Sequence, residues 1–150
     1  MSLLTSIALS SLNTARAKAR DSFRIQTLNQ VQKAIEAYFI ENGVYPTCGV
    51  AATCITTTPL PTPSTVWGSM SAMQIVPTYI PSIPNDPRNQ SGEYGFYYVR
   101  GYKKTGVNTY TSDSSTVNNY MLATRLEVGG LLFSPPTAWN NSKLNYLIGN

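Results

Sequence analysis

Three features of the chain predict an α+β fold, a long N-terminal α-helix packed against a small antiparallel β-sheet. Residues 3–41 contain neither Gly nor Pro, the strongest helix breakers. Residues 76–87 carry prolines at 77, 81, 84 and 87, which separate that helix from the C-terminal half of the chain. YGFYYVRGY (Tyr94–Tyr102) and YMLATRLEV (Tyr120–Val128) are then aromatic and β-branched, as strands are. Helix first and strands afterwards is the α+β order. The 150 residues suffice for one domain with a core.

The helix has two apolar parts. Leu28, Val31, Ile35 and Tyr38 recur at spacings of 3, 4 and 3, the stripe of a helix that faces a core. Ala34 and Phe39 widen it. Upstream, Leu3, Leu4, Ile7, Leu9 and Leu12 form a second apolar run, joined to the first by the charged, Ala-rich ARAKARDSFR. A continuous helix of this length is roughly 55–60 Å long, more than a compact domain of this size can cover. One end therefore projects, and the polar middle with an apolar tip makes it the N-terminal end. Gly43 suits the left-handed position after a helix and Pro46 forbids continuation. Residues 3–12 are too few to span a bilayer, which takes ~20 residues, and they lack the pattern of a signal peptide. They read as the tail of a longer hydrophobic segment.

Residues 43–93 read as an irregular, Pro-rich region. A loop is expected over 47–65, a short helix within 65–75 and an extended path over 76–87, with Val76, Tyr79, Ile80 and Ile83 packing down. Residues 94–150 read as the sheet and a C-terminal segment. Leu122, Leu126 and Val128 are expected on one face of the second strand, with Arg125 and Glu127 on the other. A short strand is expected around Val107–Thr111, and an edge strand from LLF or LNYLI in the tail.

Composition excludes several functions. The chain has no His, which removes Ser-His-Asp and Cys-His nucleophile pairs and His-based metal sites. Its seven carboxylates are scattered. No catalytic, cofactor-binding or metal-binding residue is assigned, and no cofactor is expected. The net charge is +4, with Arg16, Lys18, Arg20 and Arg24 clustered and opposed only by Asp21. Such a cluster can contact phosphate or anionic headgroups or simply form a solvated helix face. Asp86, Glu93 and Asp113 are loop carboxylates that could meet a calcium ion, though Asp86-Pro87 reads better as a turn with a capping side chain. Tyr94, Tyr97, Tyr98 and Tyr102 could stack on bases or sugars or pack within the sheet. Asn89 and Asn140 stand in glycosylation sequons.

Cys48 and Cys54 enclose CGVAATC. Ligands for a zinc site are lacking, and the spacing is not that of a CxxC redox motif. An intramolecular disulfide is expected, against free buried thiols or oxidation between chains, and it implies an oxidising compartment.

These residues carry a family resemblance. SLNTARAKARDSFRIQTLNQVQKAIEAYFIENGVYPT resembles the end of the first helix of type IV pilins and type II secretion pseudopilins. Ala15 to Arg20 with Asp21 resemble the family's ARxKARD stretch, and Asn42-Gly43-Val44-Tyr45-Pro46 its NGxYP turn. IVPTYIPSIPNDP resembles its LvPkYl-iPkDP segment, and YGFYYV with YMLATRLE its strands. Residues 47–65 and 131–150 are not covered. The family's cleavage site, N-terminal Phe and TLIE are missing, as is most of the membrane-spanning half-helix. No acidic calcium loop of the pseudopilin kind is matched.

The resemblance implies a structural subunit of a type IV pilus-like filament. Its partners are other pilin subunits, met through Leu3, Leu4, Ile7, Leu9 and Leu12, and the inner membrane before assembly. Its place is the extracellular pilus at the cell surface, with a methylated N-terminus in the full-length form. The alternatives are a minor pilin that binds DNA or a surface in adhesion, for which Arg16–Arg24 would supply phosphate contacts, and a secretion pseudopilin. An extracytoplasmic enzyme would need a convergent pair of carboxylates in a cleft.

Overall fold

Helix α1 runs from Ser2 to Asn42, about 60 Å at ~1.5 Å per residue. It stops where Gly43 turns left-handed, at φ 69°. The Gly43 amide still donates to the Phe39 carbonyl oxygen at 2.8 Å, and the Asn42 side-chain amide donates to Tyr38 O at 2.9 Å. The last turn is thereby satisfied before Pro46 leads the chain away. The computed structural model describes residues 2–48, 53–55, 67–88, 94–105, 110–112, 118–129 and 146–149, and the side chains of α1 from Leu9 onward.

Among the described residues seven strands come after the helix: β1 (Thr53–Ile55), β2 (Trp67–Ser69), β3 (Phe96–Arg100), β4 (Tyr102–Lys104), β5 (Tyr110–Ser112), β6 (Tyr120–Thr124) and β7 (Tyr146–Gly149). The main sheet has the order β2-β1-β3-β6-β7, and β4 pairs with β5 separately. All these pairs are antiparallel except β1 with β2, a parallel pair at one edge. Gly101, at φ 82°, turns the chain from β3 into β4.

Helix α1 lies across one face of the sheet. Leu28, Val31, Ala34 and Ile35 pack with Phe96, Tyr98, Tyr120 and Leu122, which alternate along β3 and β6. Tyr38 and Phe39 close the margin as half-buried neighbours of this core. The opposite-facing Tyr97, Val99, Met121 and Ala123 are buried too, so neither central strand shows the apolar-polar alternation of a half-exposed strand.

Four sequence expectations are corrected. The loop expected over 47–65 contains β1, a strand too short to show a period. The helix expected within 65–75 is replaced by β2 and a 3₁₀ turn, Met70–Ala72, because strand pairing outweighs a propensity already weakened by Gly68. Residues 76–87 are not simply extended, since the Ile75 carbonyl accepts the amides of Tyr79 and Ile80 at 2.9 and 3.2 Å. The second strand ends at Thr124, and Leu126, Glu127 and Val128 belong to a loop held by a helix side chain. β7 supplies the edge strand foreseen for LNYLI. Val107–Thr109, the LLF run, Glu93, Asp113, Asn89 and Asn140 lie outside the described residues.

Candidate assembly interface

The helix meets the rest of the domain abruptly. From Leu9 to Arg20 no side chain is buried, and among the described side chains the first buried one is Asp21. These 12 residues make roughly 18 Å of helix that the domain does not cover. Leu9 is 59% exposed and Leu12 is 47% exposed. The side chains of Leu3, Leu4 and Ile7 lie outside the described set. Among the described residues no helix is long and apolar enough to cross a membrane.

Arg24 builds the junction. Its Nε and Nη2 donate to the two carboxylate oxygens of Asp86 at 2.6 and 2.9 Å. Its Nη1 donates to Asp21 Oδ1 at 2.7 Å and to Glu127 Oε1 at 2.8 Å. Arg20 adds a two-pronged contact to Glu127, at 2.7 and 2.6 Å, and Arg88 approaches Glu127 Oε2 at 3.3 Å. Asp21 also accepts the backbone amides of Glu127 and Val128, each at 2.8 Å. Asp86 accepts the Arg88 amide at 2.8 Å, the turn cap expected of Asp-Pro. Three guanidinium groups thus offset three carboxylates, and each charge has several hydrogen bonds, the condition under which ion pairs tolerate burial. The Tyr94 ring lies 4.7, 4.8 and 4.9 Å from the guanidinium carbons of Arg24, Arg88 and Arg125, which adds cation–π attraction.

Protonation follows from this geometry. Burial opposes the charge on Arg24, but the hydrogen bonds to Asp86, Glu127 and Asp21 outweigh it and hold its pKa above the ordinary value. The hydrogen bond from Arg20 leads in holding the Glu127 carboxyl down at about 2, aided by Arg24 and opposed by burial.

The predicted anion contacts therefore divide. Arg20 and Arg24 are corrected: they spend their donors on the chain's own carboxylates, and Arg24 is 0% exposed. Arg24 is therefore neither solvated nor open to an anion, and Arg20 is half-buried against Glu127. Arg16 and Lys18 are exposed on the projecting arm. The core residues Leu28, Val31 and Ile35 stand where their spacing put them, with Tyr38 at the margin. Tyr94, Tyr97 and Tyr98 are buried and Tyr102 is half-buried, so they present no stacking platform. Among the described residues no group of three His, Cys, Asp or Glu could hold a metal ion.

Sequence reasoning missed the roles of Asp86 and Glu127 at the junction. The available signal was Arg24 itself, one turn from the start of the core stripe and so on a buried face.

At the other end of the helix, Glu36 accepts the hydroxyls of Tyr120 at 2.7 Å and Tyr45 at 3.2 Å. Tyr98 donates to Pro46 O at 2.7 Å, which fixes the turn that delivers Cys48. Cys48 is buried, bridges Met73 through its backbone and is disulfide-bonded.

Compared with protein-family models, curated proteins and solved structures, the chain matches none.

Proposed function

We propose that this chain is a structural subunit of a type IV pilus-like extracellular filament, assembled through its N-terminal helix. One observation carries the reading. A helical arm upstream of Asp21, with Leu9 and Leu12 exposed, leaves the domain at a buried ion cluster that fixes its direction. Isolated apolar residues on a surface are ordinary, but an apolar arm held away from its own core has no use within the monomer. The filament core is formed by the arms of successive copies and the surface by the heads. Before assembly the subunit sits at the inner membrane. The disulfide at Cys48 suits a protein that works outside the cytoplasm.

Immunogold electron microscopy of producing cells, with an antibody raised against the head, tests the reading. Label along the length of surface filaments is expected. Label confined to the cell interior overturns it.

A further inference from the structure

The end of the head from which the arm leaves is basic on its outside. Among the described residues six cations gather there, Arg16, Lys18, Arg20, Arg24, Arg88 and Arg125, against Asp21, Asp86 and Glu127. The carboxylates face inward. Their side chains are at most 8% exposed, whereas those of Arg20 and Arg88 are 32% and 38% exposed. Arg16 and Lys18 are exposed, and residues 2–20 contain no carboxylate. At ~100° per residue Lys18 stands about 160° around the helix from Arg16, and Arg20 returns to the side of Arg16. The cations therefore form a collar around the arm, not a stripe along it. Beyond the collar, residues 2–15 are uncharged, roughly 21 Å of helix that includes the exposed Leu9 and Leu12.

We infer that this collar docks the head on an anionic lipid surface, with Arg16 and Lys18 against the lipid phosphates and Arg20 and Arg88 adding their field. The inference rests on the filament reading, which brings the arm to a bilayer, and adds the headgroup chemistry and the tilt of the helix. Charge selects an anionic partner, because each Lys or Arg near an anionic leaflet adds to the attraction. The uncharged segment selects lipid over nucleic acid. A polyphosphate backbone offers nothing to Leu9 and Leu12, and Tyr94, Tyr97 and Tyr98 are buried, so they cannot stack on bases. Apolar side chains near the tip and cations next to the head follow the order in which acyl chains and headgroups are met. A helix that lies in the interface keeps its cations on one face. Cations on opposite sides fit a helix that enters the headgroup layer end-on, and the Arg24 cluster then holds the head above that layer.

Flotation of the 150-residue chain tests this, with vesicles of phosphatidylcholine alone or with phosphatidylglycerol added. Binding to the mixed vesicles exceeds binding to phosphatidylcholine and weakens as salt rises. Arg16→Gln and Lys18→Gln each weaken it roughly five-fold, and together roughly thirty-fold. Lys33→Gln, which removes an exposed cation from the docked half of α1, leaves it unchanged. All three positions are exposed, so the variants keep the fold. Equal binding to both kinds of vesicle overturns headgroup recognition and leaves the filament reading to its own immunogold test. A loss in Lys33→Gln as large as in the other two overturns the collar in favour of general charge attraction. A loss in only one of Arg16→Gln and Lys18→Gln overturns the end-on helix. Tighter binding to duplex DNA than to mixed vesicles at the same salt overturns lipid as the partner. Absence of binding to either vesicle overturns the inference as a whole.

Discussion

Arg24 grips both carboxylate oxygens of Asp86, at 2.6 and 2.9 Å, across 62 residues of sequence. The contact ties the helix to the segment that precedes the sheet. Through Glu127 the same guanidinium reaches the loop after β6. Arg24→Ala would leave Asp86 and Asp21 buried without their countercharge, a loss of about 3–5 kcal/mol. Arg24→Lys keeps the charge but not the planar fork and recovers only part of it. Urea denaturation of the three proteins checks this. Equal stability for Arg24→Ala and wild type would show that the cluster holds nothing together.

The core face makes a sharper contrast. Ile35 is fully buried and Ile40 is 82% exposed on the same helix. Ile35→Ala should cost about 2–5 kcal/mol and Ile40→Ala under about 0.5 kcal/mol. Thermal melts at low protein concentration, where copies do not associate, measure both. Similar losses at the two positions would refute the assignment of faces.

Stability should fall at both ends of the pH scale. In the folded chain Glu127 titrates at about 2, against ~4.3 in an unfolded one. Between those values the unfolded state binds more protons. The contribution of Glu127 is therefore complete above the unfolded value and is lost as pH falls towards 2. On the alkaline side, burial raises the Tyr98 hydroxyl above its ordinary range. Burial first, then the hydrogen bond to Glu36, does the same for Tyr120. Both contributions are present below ~10 and are lost as pH climbs past it. Urea midpoints across the pH range should form a plateau with two falling limbs. Glu127→Gln should flatten the acid limb, and an unaltered acid limb would remove Glu127 from the account.

Cys48 is expected to pair with Cys54, the one other cysteine in the sequence. The intact protein should weigh two hydrogens less than its reduced form and take up no alkylating reagent. Closing a ring this small should contribute roughly 2 kcal/mol in the loop-entropy model. Alkylation of both cysteines in the native protein would contradict the pairing.

The helix was legible because its signals are local. An unbroken run, the Leu28-Val31-Ile35 period and the Gly43-Pro46 stop can each be read within a few residues. β3 and β6 were legible as aromatic, β-branched segments. Their register was not, since burial on both faces erases the alternation that would report it. β1 and β2 escaped notice because three residues cannot display a period, and their strand character comes from pairing alone. The Arg24 cluster was misread for a related reason. Sequence shows four basic residues near one another with Asp21 among them, but the other carboxylates that neutralise Arg20 and Arg24 lie at 86 and 127, beyond any local window. The arm was foreseen by arithmetic, because a 41-residue helix outruns the domain that would cover it.

Hydrogen–deuterium exchange on a verified monomer tests the central claim most directly, that the N-terminal part of α1 projects as an assembly element. Amides of residues 3–14 should exchange fast, those of residues 28–38 should be strongly protected, and the first group should gain protection as copies associate. Strong protection of residues 3–14 in the monomer would mean that the arm folds back onto its own domain, and the account of filament assembly would be contradicted.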